Sequence, residues 1–139
     1  MAYLLDTDII SVTMRPRPNL GVVRRVATIP DAEQFISAVT LGELIFGATR
    51  RNRADLLERI RLLIELVPVV PFDALVAYRY GSLKAELEQA GTPLAEPDLR
   101  IAATALVHNL VLVTGNERHF RRVPDLTIEN WLVSSEPGA

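Results

Sequence analysis

The chain has 139 residues, of which 49% are hydrophobic, and a formal net charge of −2 at pH 7. This length and composition allow one substantial hydrophobic core but leave no room for two ordinary domains, and the near-neutral charge indicates no particular partner. The chain has no cysteine, which excludes disulfides, thiolate zinc sites and a cysteine nucleophile.

The pattern of apolar residues predicts strands that alternate with helices. Its first half is a buried strand at residues 2–6, helices at 8–14 and 19–27, a short strand at 34–38 and helices at 40–50 and 52–66. Its second half is a strand stub between Pro68 and Pro71, helices at 73–90 and 97–108, a strand at 110–113 and an edge strand at 126–129. Gly91 is expected to cap the helix at 73–90. This alternation predicts a three-layer α/β/α sandwich with a central, mostly parallel sheet.

The sequence shows no internal repeat and no linker, so we expect residues 1–133 to form a single domain and residues 134–139 to be a loose polar tail. The N-terminus lacks the basic and apolar regions of a secretory leader. No apolar run approaches the roughly 18 residues of a membrane span. We therefore expect a cytoplasmic protein that makes no membrane contact.

Four acidic or amide side chains lie at the boundaries of predicted elements: Asp6, Glu43, Asp98 and Asn116. Asp6 ends the first buried strand, where an unpaired carboxylate is costly to bury. Because strand ends and helix starts meet along one edge of a parallel sheet, we expect all four side chains to lie there. Three carboxylates without a cysteine favour an oxygen-binding ion, Mg²⁺ or Mn²⁺.

Each of these positions also has a structural explanation. Asp8 directly precedes a predicted helix and is expected to be its N-cap, with a secondary contact to metal or water as the alternative. Residues 40–43 fit the Ser/Thr-x-x-Glu capping box, in which Glu43 would bond the backbone of its own helix. Asp98 would be stabilised by the helix macrodipole in a first turn. Asn116 would be a turn residue that tolerates left-handed geometry.

The segments around these positions resemble PIN-domain proteins of the VapC and FitB-like toxin branch. The similarity lies in four segments that match the family's motifs, residues 4–19, 36–47, 98–105 and 112–120, and in the ending at 123–131. The motifs occur in the family's order and spacing, and the resemblance covers residues 3–132. It implies a PIN-like, Rossmann-like fold.

The resemblance implies a metal-dependent endoribonuclease that is the toxin of a bacterial toxin–antitoxin pair. In that family the acids that match Asp6, Glu43 and Asp98 hold Mg²⁺ or Mn²⁺. Some members have Asp at the position of Asn116, so we expect Asn116 to be a weaker ligand, with Glu117 as an alternative to it. The resemblance also implies an RNA substrate, a VapB-like antitoxin as the partner protein, and a homodimer.

Neighbouring side chains are candidates for supporting roles. Thr7 and Thr114 each lie at a strand end beside an expected ligand, so their hydroxyls would contact the ligands or the ion. Four arginines near the same edge are candidates for contacts with RNA phosphates: Arg100, Arg118, Arg121 and Arg122. A solvated surface role is the alternative for each of them.

Other function classes fit only part of the sequence. Residues 6–8 also resemble the start of a haloacid-dehalogenase-like phosphatase, in which the first Asp is a nucleophile, but that family needs a lysine on a downstream loop. The only lysine, Lys84, lies within a predicted helix. A metal-independent ribonuclease would need catalytic histidines, and neither His108 nor His119 is expected to serve. A non-catalytic PIN-like module that binds a protein is favoured by Asn116 and opposed by the three acids.

Overall fold

The structure is a computed structural model that describes residues 1–133. The strands are β1 (Tyr3–Leu5), β2 (Gln34–Ser37), β3 (Val69–Val70), β4 (Val111–Val113) and β5 (Ile128–Glu129). The helices are α1 (Thr7–Met14), α2 (Leu20–Thr28), α3 (Ala38–Arg50), α4 (Ala54–Leu66), α5 (Ala74–Gln89), α6 (Glu96–His108) and α7 (Glu117–Phe120). The expected tail at residues 134–139 lies outside the described residues.

The five strands form a parallel sheet in the order β3–β2–β1–β4–β5. β1 is the central strand because Leu4 pairs with Phe35 of β2 on one side and with Leu112 of β4 on the other. After β1, the chain adds β2 and β3 on one side of it and then β4 and β5 on the other side. The direction in which strands are added therefore changes between β1 and β4. Open α/β sheets bind ligands at the carboxyl ends of strands at such a switch point. The predicted α/β fold with a parallel sheet is confirmed.

Apolar side chains cover both faces of the sheet. Leu4 packs into one core, against side chains of α5 and α6, and Leu5 packs into the other, against α1 and β2. Neighbouring strand residues point to opposite faces, so one strand contributes to both cores. Both side chains are almost completely buried. Burial on both faces explains why β1 is a continuous apolar run and not an alternating one.

The ends of α5 are formed by the residues that the sequence indicates. The Asp73 carboxylate accepts a hydrogen bond from the Val76 amide at 3.1 Å and caps the first turn. At the other end Gly91 has a φ of +75°, and the Thr92 amide donates to the Leu87 carbonyl at 2.9 Å. This is a Schellman motif, so the prediction that Gly91 caps this helix is confirmed.

Two helix starts differ from the prediction. Asp6, and not Asp8, is the N-cap of α1, so the expectation that Asp8 caps this helix is wrong. Helix α3 begins at Ala38, where the Ser37 hydroxyl accepts a hydrogen bond from the Thr40 amide at 2.9 Å. The capping box at residues 40–43 is therefore wrong, because this helix has already begun when the chain reaches Thr40. In residues 1–133, no helix combines the length and apolar character needed to cross a bilayer.

Candidate metal centre

The carboxyl ends of β1 and β4 bring Asp6 and Thr114 together at the switch point of the sheet. The Asp6 amide donates to the Val113 carbonyl at 2.9 Å, which extends the pairing of the two strands. The buried Thr114 hydroxyl donates to Oδ2 of Asp6 at 2.7 Å, and the Thr7 amide donates to Oδ1 at 2.8 Å. Asp6 is only 6% exposed. Both of its carboxylate oxygens are therefore held in place, and neither is freely hydrated.

The surroundings of Asp6 disfavour its negative charge. Burial raises the pKa of Asp6 to about 7, and the charge of Asp8 adds to this effect. Hydrogen bonds from Thr114 and Thr7 lower this pKa, whereas the charge of Asp98 raises it further. In the described part of the chain, no basic side chain contributes to lowering it. Asp6 therefore lies where a cation would be strongly favoured.

Asp8 contacts the loop that follows β4. Its Oδ2 atom accepts a hydrogen bond from the Gly115 amide at 2.8 Å, while its Oδ1 atom is buried without a hydrogen-bond partner among residues 1–133. Burial raises the pKa of Asp8 as well. A Cβ at Gly115 would lie 2.7 Å from Oδ2 of Asp8 and 2.2 Å from Cδ1 of Leu132, so a larger residue would require these side chains to shift. Asp8 holds the loop close to β1.

Asp98 reaches the same edge from the first turn of α6. Burial raises its pKa, a positive charge on His119 would lower it, and the charges of Glu43 and Asp8 raise it. Oδ2 of Asp98 lies 3.9 Å from Nδ1 of His119, and the Asp98 side chain is 21% exposed. The charges of Glu43 and Asp8 therefore act on Asp98, and the charge of Asp98 acts on Asp6.

Glu43 is joined to the end of β1 through Thr7. The Thr7 hydroxyl donates to Oε1 of Glu43 at 2.6 Å and lies 3.1 Å from the Thr40 hydroxyl oxygen. Glu43 is otherwise exposed on α3. This contact joins residues 36 positions apart in the sequence. The Glu43 side chain is therefore oriented by Thr7 and not by a capping box.

Asn116 follows β4 and Gly115 and belongs to the same network. Its amide N–H donates to the Thr114 hydroxyl oxygen at 3.0 Å, and its side-chain Nδ2 lies 2.8 Å from Nδ1 of His119. The φ of Asn116 is −99°, so the alternative that it is a left-handed turn residue is wrong. Glu117 is engaged elsewhere, with Oε2 accepting a bond from Asn130 at 3.4 Å and Oε1 lying 4.0 Å from Arg121.

The donor atoms at this edge fit a divalent cation. They are carboxylate, amide and hydroxyl oxygens, the ligands of Mg²⁺ and Mn²⁺. In residues 1–133, no three acidic or histidine side chains lie close enough together to hold a metal ion as they stand. The unpartnered buried oxygen of Asp8 and the raised pKa of Asp6 both favour a cation. The residues available to hold it are Asp6, Glu43 and Asp98, with Asn116 beside them.

The arginines expected near this edge differ in their surroundings. Arg100 lies 3.6 Å from Glu96, and its guanidinium is 5.6 Å from the centroid of the Tyr80 ring. Arg122 donates to the Pro93 carbonyl at 2.8 Å, which leaves it partly occupied. Arg118 is exposed on α7 next to the candidate site. Arg118 therefore has the fewest competing contacts of these three.

Sequence analysis missed one contributor to this edge. His119 was not expected to serve in catalysis and was given no other role, yet it contacts Asn116 and lies near Asp98. The sequence feature that could have indicated this contact is the spacing of three residues between Asn116 and His119. That spacing brings side chains together only in a helix, and helix α7 was not predicted. His108, by contrast, ends α6 at an exposed position.

Glu43→Gln is expected to weaken Mn²⁺ binding by about tenfold or more. Loss of a residue that only contacts a metal ligand already has an effect of this size, and Glu43 is expected to be a ligand itself. The variant keeps an oxygen acceptor for the Thr7 hydroxyl, so its melting temperature without metal should stay close to that of wild type. Calorimetric titration with Mn²⁺ measures the change. Glu88→Gln, at an exposed position on α5, is the matched control. Unchanged Mn²⁺ affinity in the Glu43 variant would remove Glu43 from the ligand set.

The fold and this edge together define a class, a parallel α/β domain with several carboxylates at the switch point of its sheet. The sequence profile of the PIN domain matches residues 3–126 of this chain. The chain belongs to the PIN-domain family.

Known proteins of this family are similar to the chain over nearly its whole length. Ribonuclease VapC1 of Haemophilus influenzae strain R2866 is 36% identical over 132 residues, which cover 94% of this chain and 98% of that protein. The tRNA(fMet)-specific endonuclease VapC of Shigella flexneri is 34% identical with the same coverage. The structure of VapBC2 from Rickettsia felis bound to a DNA fragment from their promoter contains a similar chain, with a TM-score of 0.84 and 29% identity. That match covers 94% of this chain and 99% of the other.

Proposed function

We propose that this protein is a Mg²⁺- or Mn²⁺-dependent endoribonuclease and the toxin of a toxin–antitoxin pair. The observation that carries the proposal is Asp6, a buried carboxylate with a pKa of about 7 whose two oxygens are fixed at the switch point of the sheet. Relatives named as a ribonuclease and a tRNA endonuclease support RNA as the substrate. A single domain at residues 1–133 carries the activity.

Each residue of the site has a distinct role in this proposal. Asp6, Glu43 and Asp98 hold the ion, while Thr7 and Thr114 fix the carboxylates by hydrogen bonds. When bound, a divalent ion supplies an acidified water and stabilises negative charge on the phosphodiester. The carboxylates would orient a water for in-line attack on phosphorus, with the 3′-oxygen of the neighbouring nucleotide as the leaving group, so that cleavage would give a 5′-phosphate and a 3′-hydroxyl.

The loop after β4 and the arginines complete the site. Asp8 fixes this loop through the Gly115 amide, and the loop carries Asn116 as a weaker ligand. Arg100 and Arg118 attract the phosphates of the RNA strand to the edge. Fourteen of the fifteen basic residues are arginine, whose planar guanidinium suits phosphate contacts.

The alternative of a haloacid-dehalogenase-like phosphatase has no support in the structure. Lys84 is the only lysine of the chain, lies within α5, and its ammonium is 2.5 Å from a Glu96 carboxylate oxygen. It therefore does not lie on the downstream loop that such a phosphatase needs. A non-catalytic module is disfavoured because Asp6, Glu43 and Asp98 all retain acidic side chains.

The proposal predicts RNA cleavage that depends on a divalent ion. Purified protein should cut a structured tRNA or an unstructured RNA when Mg²⁺ or Mn²⁺ is present, stop in EDTA, and resume when Mn²⁺ is added in excess of the chelator. The cut positions are read on a denaturing gel. Equal cleavage with and without chelator would exclude a metal-dependent reaction.

We propose that a small VapB-like antitoxin silences the enzyme. A site with several carboxylates attracts a cationic side chain, so an antitoxin arginine would pair with the carboxylates and exclude metal or RNA. The similarity to a chain of the VapBC2 complex supports a partner of this kind. We further propose that the toxin is a homodimer that acts in the cytoplasm, where its RNA substrates are.

A further inference from the structure

We propose that His119 is a positioning residue, which orients the side-chain amide of Asn116 so that its oxygen is available to the metal ion. This inference deepens the proposed function and rests on it, since it concerns the same metal site. The single contact that carries it joins Nδ2 of Asn116 and Nδ1 of His119 at 2.8 Å.

The geometry of an amide determines what this contact does. The side chain of Asn carries one donor nitrogen and one acceptor oxygen in a plane, so a partner for the nitrogen also fixes the direction of the oxygen. Within residues 1–133, Oδ1 of Asn116 accepts no hydrogen bond. The backbone of Asn116 is held by the Thr114 hydroxyl, which itself bonds Asp6. The amide oxygen therefore remains unengaged in a residue that is linked through Thr114 to Asp6, a proposed ligand.

The contact also assigns a role to each of the two nitrogens. Nδ2 of Asn116 can only donate, so Nδ1 of His119 is the acceptor of this hydrogen bond.

The position of the ring is secured by its neighbour in sequence. Phe120 is completely buried in the core that α5 and α6 share. The amides of His119 and Phe120 both donate to the Asn116 carbonyl, at 3.2 and 3.3 Å. His119 is thus tied to an anchored turn even though its side chain is 47% exposed. This arrangement explains how an exposed ring can keep a defined orientation.

The test is calorimetric titration with Mn²⁺, which does not depend on RNA cleavage. His119→Leu keeps a side chain of moderate size but removes the acceptor, and it should weaken Mn²⁺ binding by about tenfold. His119→Gln supplies an amide oxygen as the acceptor and should restore most of the affinity. His108→Leu, which replaces the other histidine at an exposed position, should bind Mn²⁺ as wild type does.

A double-mutant cycle separates positioning from an independent effect. Asn116→Ala should weaken Mn²⁺ binding by itself, and adding His119→Leu to it should cause no further loss. Losses that multiply in the double variant would overturn the proposal, as would wild-type affinity in His119→Leu or in Asn116→Ala. If His119→Leu fails to fold, His119→Ala takes its place in the same cycle, because it also removes the acceptor.

The same titration distinguishes this inference from the proposed function. A wild-type protein that binds no Mn²⁺ and cleaves RNA equally in EDTA would refute both. A wild-type protein that binds Mn²⁺ and needs it for cleavage, together with a His119→Leu variant of unchanged affinity, would refute only the role of His119.

Discussion

Asp6→Asn is expected to reduce metal-dependent RNA cleavage by about 100-fold or more, because the variant lacks the negative charge that binds the ion. Asparagine has nearly the same shape, and its side-chain oxygen can still accept the hydrogen bond from the Thr7 amide. The amide nitrogen can donate to the Thr114 hydroxyl oxygen, so the fold should remain intact. Loss of activity in this variant therefore reports on charge and not on unfolding.

The measurement compares initial cleavage rates at saturating Mn²⁺ for wild type and variants that are purified in the same way. Asp98→Asn should lose activity to a similar extent. Asp125→Asn is the matched control, because Asp125 is exposed and its positive φ of 66° is one that asparagine tolerates. Expression of wild type alone should arrest bacterial growth, and the Asp6 variant should relieve it. Full cleavage by Asp6→Asn would show that the site is elsewhere or that the activity is a contaminant.

The second large effect is on stability, and it has the opposite sign. Without metal, Asp6 should make the free energy of unfolding fall by about 4 kcal/mol as the pH rises from about 4 to about 7, at about 1.4 kcal/mol per pKa unit. The pKa of Asp6 rises from an ordinary value of 3.8 to about 7 in the folded protein. Between these values the folded state binds more protons than the unfolded state, so stability decreases as the pH increases.

Urea unfolding in EDTA at pH 5 and pH 8 measures this effect. Exposed acids such as Glu96, whose pKa is lowered by Lys84, act in the opposite direction, so total stability alone is not informative. The difference between wild type and Asp6→Asn cancels these other groups. The variant should be the more stable protein at pH 8, and Mn²⁺ should reverse that order by binding wild type. Parallel pH profiles for the two proteins would mean that Asp6 has no raised pKa.

Much of the site could be predicted because its chemistry conflicts with local folding rules. Asp6 ends a buried strand, where burial of a carboxylate has no local explanation, and the sequence identified it on that basis. Glu43 was harder, because Ser37 and Thr40 are both good N-cap residues only three positions apart. Local propensity does not distinguish a helix that begins after Ser37 from one that begins after Thr40. In the structure, β2 ends at Ser37 and α3 begins directly after it.

The remaining errors have a common cause in contacts between distant parts of the chain. Asp8 would have been a good N-cap, but the loop after β4 supplies the Gly115 amide as its partner, 107 positions away. The contact between Thr7 and Glu43 likewise joins two elements that periodicity describes separately. Helix α7 has four residues, too few for an apolar period to be recognised. The pairing of His119 with Asn116 was missed for that reason.

The central position of β1 has a consequence for synthesis of the toxin on the ribosome. β1 is made first, yet Asp6 meets its partner Thr114 only after 108 further residues have been added. A nascent chain that ends before β4 has no switch point, because one of the two strands that form it is missing. The hydrogen bond that fixes Asp6 therefore cannot form until most of the chain has been made.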